Sequence, residues 1–366
     1  MKGLGGRPQY KELQFLSSKE ISKHKNVILL IVDGLGYKYL IRNGKDGILK
    51  NNLKNKMTSV FPPTTATCIT TFATGVAPKQ HGITGWFMYL KELGMITTIL
   101  RTMPRLGGCS FSQVGIDLNK IFTEKSFASK IKIKSYTVIH DEILKSDYNI
   151  TVNKNSTMLG YQNINECFES IKKAVDKKGK KYVFAYWGSL DSYAHKNGMN
   201  SKVTYDHFQN IDNNVKQLVK YLEGKDALLI ITADHGLIDS AKNKTILLKD
   251  HPKLDECLAL QLSGDPRCVY CYVKPGKLKQ FKDYVKKNLS KEFYLMKSNK
   301  LVEKNFYGLF TPHKELLNRI GDYVLIAKEN YIMLDTLLCQ KDKIPIGNHG
   351  GISEEEIYVP LIIIKT

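Results

Sequence analysis

Three apolar segments of this chain each run into a carboxylate. Ile28 to Val32 is followed by Asp33-Gly34, Val183 to Trp187 leads to Asp191, and Leu228 to Thr232 leads to Asp234-His235-Gly236. Such runs are expected as strands covered on both faces, and open parallel sheets bind ligands just beyond the carboxyl ends of their strands. Three acids delivered to one edge would repel one another unless cations neutralised them. Histidines stand where a cation site would need them: His195 lies four residues after Asp191, one helical turn away, and His235 directly follows Asp234. His349 sits in the run GNHGG at 347–351, whose glycines let the backbone turn tightly and approach a ligand. Imidazole with carboxylate is an ordinary zinc ligand set, and two cations about 4 Å apart suit phosphoryl chemistry.

A nucleophile for that chemistry is on offer in the run FPPTTAT at 61–67, which precedes an apolar, helix-like stretch ending at Thr74-Gly75. A hydroxyl at a helix start faces the positive end of the helix dipole and free backbone amides, which favour an alkoxide and a bound phosphate. Thr64, Thr65 and Thr67 all stand there; any single threonine could be a plain N-cap, and that sort of role is expected of Thr64 and Thr67. The other pieces have bland readings too: Asp-Gly after a strand is usually a turn, and a lone histidine is usually structural. His24, His140, His207, His251 and His313 keep the structural reading, and His81 is expected to shape the loop after the nucleophile helix. The joint occurrence of the acids, histidines and hydroxyls carries the argument.

The elements that must position these groups are legible as well. Val27 to Val32, Lys181 to Trp187 and Ala227 to Thr232 read as buried strands, while Ile164, Phe168, Ile171 and Val175 repeat at helical spacing, as do Tyr205, Phe208, Val215, Leu218 and Leu222. Strands separated by helices imply an α/β fold, a three-layer sandwich around a mostly parallel sheet. The composition changes after His235. Residues 242–343 read as a small inserted α+β subdomain, with a strand at Cys268, a Lys-rich helix near Lys277 to Lys291 and a hairpin-like pair around Tyr323 to Leu334. Residues 1–241 plus 344–366 form the catalytic core, closed by a last strand from Tyr358 to Ile364.

Composition narrows the function classes. With 366 residues, 42% hydrophobic and 25% charged, the chain is an ordinary globular protein. The net charge of +20 comes from scattered lysines, with no basic groove evident, so there is no strong case for nucleic acid; steering of phosphate-bearing substrates is the milder consequence. Neither a signal-peptide stretch nor a membrane-length apolar run is present, and a reduced, cytoplasmic protein is expected. The lone CxxC at Cys268 and Cys271 reads as part of a buried strand rather than a metal or redox motif.

At this point the sequence resembles the alkaline phosphatase superfamily and, within it, the type I phosphodiesterase and nucleotide pyrophosphatase family. The resemblance rests on VDGLG at 32–36, FPPTTAT at 61–67, ATGVAPKQHGI at 73–83, LDSYAHKNG at 190–198, TADHG at 232–236 and GNHGG at 347–351, in the family's order. It implies Thr65 as the nucleophile, four residues after Phe61, and a phosphothreonine intermediate. Two divalent metal ions, expected to be zinc, would be held by Asp191, His195 and His349 and by Asp33, Asp234 and His235, with Thr65 as the reactive ligand of the second set. The implied substrate is a small phosphate ester or a nucleotide-like molecule. Two positions depart from the eukaryotic pattern. Ala66 replaces an aromatic residue that packs on the nucleobase, and Trp86 replaces an asparagine that binds a phosphate oxygen. Trp86, Phe87 and Tyr193 are candidate pocket residues, whereas Trp187 could serve the pocket or the core. Phosphomonoesterases of the superfamily clamp the phosphate with arginine; here Arg42 and Arg101 are the nearest in sequence to Thr65, which favours diesters. A sulfatase and a cofactor-independent phosphoglycerate mutase lack their signatures here. From outside the enzyme class, the alternative is a binding protein that keeps metals as structural pins.

Overall fold

The computed structural model describes residues 1–335, 337 and 344–366. In chain order the strands are β1 (Asn26–Val32), β2 (Leu53–Thr58), β3 (Phe87–Leu90), β4 (Met95–Thr98), β5 (Met103–Pro104), β6 (Lys134–His140), β7 (Thr157–Tyr161), β8 (Lys181–Trp187) and β9 (Ala227–Thr232). They continue with β10 (Ile238–Asp239), β11 (Thr245–Leu247), β12 (Ser263–Asp265), β13 (Cys268–Cys271), β14 (Phe293–Lys297), β15 (Tyr323–Ala327), β16 (Ile332–Leu334), β17 (Gly347–Asn348) and β18 (Tyr358–Lys365).

The central sheet has the order β2-β18-β9-β1-β8-β6-β7. Strands β9, β1, β8, β6 and β7 pair in parallel, and β18 runs antiparallel to both of its neighbours. Alternation along the middle strands explains the layers. Ile28, Leu30 and Val32 pack into one core with Phe168, Phe208 and Val215 of the helices Ile164–Val175 and Lys202–Leu222. Val27 and Ile31 enter the opposite core with Ala66, Ile69 and Ala73 of the helix Thr65–Thr74. A sheet apolar on both faces must be covered on both, and the expected three layers follow. The long helices start where side chains satisfy their free amides: Asn163 accepts from the Glu166 N–H and Ser201 from the Thr204 N–H. Among the described residues no helix is long and apolar enough to cross a membrane.

A second sheet, largely antiparallel, has the order β14-β15-β13-β12-β3-β4-β5. It joins strands of the segment after residue 242 to β3–β5 from residues 87–104, through the pairing of Gly264 with Phe87. The Lys-rich helix spans Leu278–Asn288 and buries Phe281 and Val285. Tyr323 to Leu334 is not a hairpin, contrary to the sequence expectation. β15 lies antiparallel between β13 and β14, whereas β16 pairs in parallel with β11. Buried partners elsewhere in the chain outcompete the short local turn. Cys268 and Cys271 lie in β13, fully buried, and burial pushes both thiols up. The end of the insert, drawn at residue 343, lies outside the described residues.

Candidate active site

The register of the central sheet brings the strand-end acids together. Ile31 of β1 lies beside Thr232 of β9 and Val32 beside Trp187 of β8, so Asp33 and Asp234 emerge from adjacent strands. After β8 the helix Ser189–Asn197 presents Asp191 and His195 one turn apart. Gly34 takes φ 77°, and a Cβ there would lie 2.5 Å from Leu237 Cδ1. Gly236 is a closer fit still: a Cβ would meet the Glu355 carbonyl and come within 2.7 Å of Gly36 Cα. Only glycine lets these loops approach. The pairing of β10 with β17 returns the chain to the site and stacks His349 on His235, ring centroids 3.8 Å apart.

Two groups of buried side chains result, Asp33 with Asp234 and His235, and Asp191 with His235 and His349. In each, one potential ligand atom per residue lies within 4.8 Å of the others. His235 Nε2 stands 3.4 Å from Asp33 Oδ1 and 3.5 Å from Asp234 Oδ2. His195 Nε2 is 3.3 Å from Asp191 Oδ2, and its Nδ1 lies 2.7 Å from the Gly347 carbonyl, which fixes the ring with Nδ1–H donating and leaves Nε2 toward the site. Asp33 Oδ1, Asp191 Oδ1, Asp234 Oδ2 and His349 Nδ1 are buried without a hydrogen-bond partner. Such orphaned acceptors are costly in a folded protein. Carboxylate oxygens and an imidazole nitrogen converging in this way fit divalent cations.

The electrostatics have the same cause. Burial, then the charges of Asp234 and Asp191, hold the Asp33 carboxyl well above its usual range, and the Tyr186 hydroxyl donates to its Oδ2. Burial would also raise Asp191, but His195, with His349 and His235 behind it, outweighs burial and the carboxyl falls below the usual range. Burial would lower His195, yet Asp191 and the Gly347 carbonyl raise it to about 9. His349 is pushed far down, by burial first and by His235 second.

Thr65 is the first residue of the helix Thr65–Thr74, and its Oγ1 lies 3.2 Å from His235 Nε2. Thr64 occupies the N-cap position but does not cap: its hydroxyl donates to Asp265 Oδ1 at 2.9 Å, and Thr67 Oγ1 has no partner. The capping roles expected of these two threonines are therefore not taken up, and the amides at the helix start stay free of a side-chain cap. Thr65, Trp86 and Asp191 line two cavities, of about 410 Å³ and about 320 Å³. Phe87 lines the smaller one. Tyr193 lines neither; it sits two residues from both Asp191 and His195, on the other side of the helix, with its ring 4.6 Å from that of His207. Trp187 is core, donating from Nε1 to His207 at 3.0 Å. Ala66 is fully buried in the core beneath the sheet, so its position offers no cavity wall.

Three residues at the site were not singled out as part of it by sequence reasoning. Tyr186 is hidden within an apolar strand run. Asp265 accepts from Thr64 and from the Trp86 N–H, and burial, tempered by those bonds, pushes its carboxyl up to about 6. Arg101, distant in sequence from Thr65, lines the larger cavity with it. Only Tyr186 carried a local signal, as a polar-tipped residue in a strand leading to an acid.

The fold has counterparts among known proteins. Among solved structures, murine ectonucleotide pyrophosphatase/phosphodiesterase 5 is 20% identical, covers 92% of this chain and 87% of its own, and superposes with a TM-score of 0.67. An inactive variant of that murine protein in complex with AMP gives a TM-score of 0.68 at 20% identity, with the same coverage. Phosphonoacetate hydrolase from Sinorhizobium meliloti, in complex with phosphonoformate, is 17% identical over 93% of this chain and 90% of its own, with a TM-score of 0.65. No curated protein sequence matches the chain. The profile of the type I phosphodiesterase / nucleotide pyrophosphatase family matches residues 27–352, and the chain is thus a member of that family, a hydrolytic enzyme of the phosphodiesterase and pyrophosphatase kind.

Proposed function

We propose that the chain cleaves phosphodiester or pyrophosphate bonds through a phosphothreonine intermediate on Thr65. Asp33, Asp234 and His235 would hold one divalent cation, and Asp191, His195 and His349 a second, with zinc the expected ion. The observation that carries this reading is the set of three orphaned carboxylate oxygens, of Asp33, Asp191 and Asp234, clustered with His235, whose Nε2 lies 3.2 Å from the Thr65 hydroxyl at a helix start. Bound there, divalent cations supply positive charge that favours the threonine alkoxide and neutralises phosphoryl oxygens.

The chain's own residues do the rest. The free amides at the start of the helix Thr65–Thr74 favour a phosphoryl oxygen. Thr65 Oγ1 bonds to phosphorus as the bond to the leaving oxygen breaks; the hydroxyl proton passes to solvent, and the leaving oxygen takes one up. Water then adds to phosphorus and frees Thr65. Asp265 steadies both the residue before the nucleophile and the Trp86 backbone. A nucleotide-like substrate is supported by the AMP complex of the murine relative and by a cavity of about 410 Å³ opening on Thr65.

The test is hydrolysis of bis-p-nitrophenyl phosphate against p-nitrophenyl phosphate, with zinc and with a chelator. The diester should be preferred and chelation should stop it. Preference for the monoester would shift the substrate class, and a zinc-loaded protein that cleaves neither would overturn the reading.

A further inference from the structure

The larger cavity is lined by Thr65, by Asp33 and Asp191, and by Arg101. Arg101 is exposed, and among the described residues its side chain meets no carboxylate or carbonyl partner. Four of the chain's five other arginines are committed: Arg42 to Glu355, Arg105 to Asp335, Arg267 to Glu356 and Arg319 to Glu92. Several of the cavity's other polar tips are spent. Tyr148 shares a hydrogen bond of 2.8 Å with Thr70, Tyr161 donates to the Tyr186 carbonyl at 2.6 Å, and Asn149 donates to the Ile143 carbonyl at 2.7 Å. Glu142 lies on the same wall, but its side chain is 86% exposed and forms no ion pair with Arg101.

The backbone that carries Arg101 is fixed. The Ile99 N–H donates to the Trp86 carbonyl at 3.0 Å, and the Thr102 hydroxyl donates to the Arg101 carbonyl at 2.8 Å. Thr102 itself takes φ 49°, ψ 48°, a left-handed conformation uncommon for a β-branched residue. Bonds from its N–H to the Ile99 carbonyl and from the Phe111 N–H to its own carbonyl hold it there. Strain that is over-determined in this way is typical of functional positions.

We infer that Arg101 is an anion subsite within the substrate cavity. It selects esters whose substituent on the reacting phosphorus ends in a second negative charge, a carboxylate or a phosphate. A planar guanidinium fork matches either group with two parallel hydrogen bonds. The inference rests on the hydrolase reading for what sits at Thr65, and the test separates the two.

The substrates are p-nitrophenyl alkyl phosphates, plain or carrying a terminal carboxylate or a terminal phosphate on the alkyl chain. The ratio of kcat/KM for charged over plain ester should be about tenfold or more in the wild type, the usual weight of a charge-assisted pair. It should collapse toward unity in Arg101→Gln and survive in part in Arg101→Lys. The tail giving the larger ratio identifies the anion. Calorimetric binding of the corresponding alkyl phosphate products reads the same ratio without turnover, so an inactive protein would sink the hydrolase reading while the subsite is still judged. A wild-type ratio near unity in both assays overturns the inference. So does an Arg101→Gln variant that lowers charged and plain esters equally, or that loses only p-nitrophenyl phosphate hydrolysis, since the guanidinium would then serve the reacting phosphate.

Discussion

The two proposed ligand sets are assembled by different means. Asp33, Asp234 and His235 stand directly beyond β1 and β9, and each is almost wholly buried, at 2%, 1% and 0% exposure. Their spacing is inherited from sheet register, which the hydrophobic pattern of the strands enforces. Asp191, His195 and His349 come from a short helix and from a loop that returns late in the chain. That loop is tied down at a distance: Glu356 accepts from the Gly351 N–H at 2.7 Å and pairs with Arg267 of the second sheet at 2.6 Å, both side chains fully buried. The first group is part of the core's own geometry, whereas the second depends on polar fastenings between the two sheets. The same ligand chemistry can thus rest on supports of different strength.

The sharpest way to probe what the two groups share is Thr65→Ala. It should lower turnover by about three orders of magnitude or more while leaving zinc content and melting temperature near wild type. Retained turnover would show that the hydroxyl beside His235 is not the nucleophile. Next in size, Glu356→Gln leaves Arg267 buried without a full charge partner, and broken buried pairs cost about 3–5 kcal/mol. It should lower the melting temperature and weaken the second zinc in a calorimetric titration more than the first. Equal weakening of both would erase the distinction drawn between the groups.

A third test uses pH. Without metal, His195 stays protonated up to about 9 because Asp191 faces it. A ligating imidazole must be neutral, so zinc binding there should release a proton and tighten by about tenfold per pH unit below that value. The folding contribution has the opposite sign. The His195 value in the fold lies above the ordinary 6.5, so the pair's stabilisation is complete below that pH and lost as pH rises through about 9. Zinc titrations in buffers of different ionisation enthalpy would expose a missing proton.

The smallest effect belongs to Asp33→Asn. Relieving one of three crowded acids should raise the melting temperature of the metal-free protein by a few degrees and reduce the further rise on adding zinc. A lower metal-free melting temperature would mean that crowding among Asp33, Asp234 and Asp191 costs the fold nothing.

How much of this was legible in the sequence follows the same division. Asp33, Asp191 and Asp234 could be read because apolar runs announce strands, and strand ends in a parallel sheet share one edge. Thr65 could be read because a helix start has a chemical identity of its own, although the choice among three threonines needed the family's motif. Asp265 could not be read, since it meets Thr64 across about two hundred residues of chain and sits in a three-residue strand with no signature. Arg101 was visible as a residue but not as a wall of the cavity, because that placement depends on the turn at Thr102. The second sheet was misjudged where β15 and β16 looked like neighbours. Their partners are chosen by burial against distant strands, a tertiary effect that local spacing does not carry.

The contact between Gly36 and Gly236 has a bearing on how such a site can diversify. With their Cα atoms pressed together under the Glu355 carbonyl, neither position admits any other residue without prising apart the loops that follow β1 and β9. Variation in substrate range is therefore confined to positions such as 86, 87, 100 and 101, which line the cavities while the floor stays fixed. A mutational library directed at the glycine floor would return unfolded protein, and one directed at the rim would return new specificities.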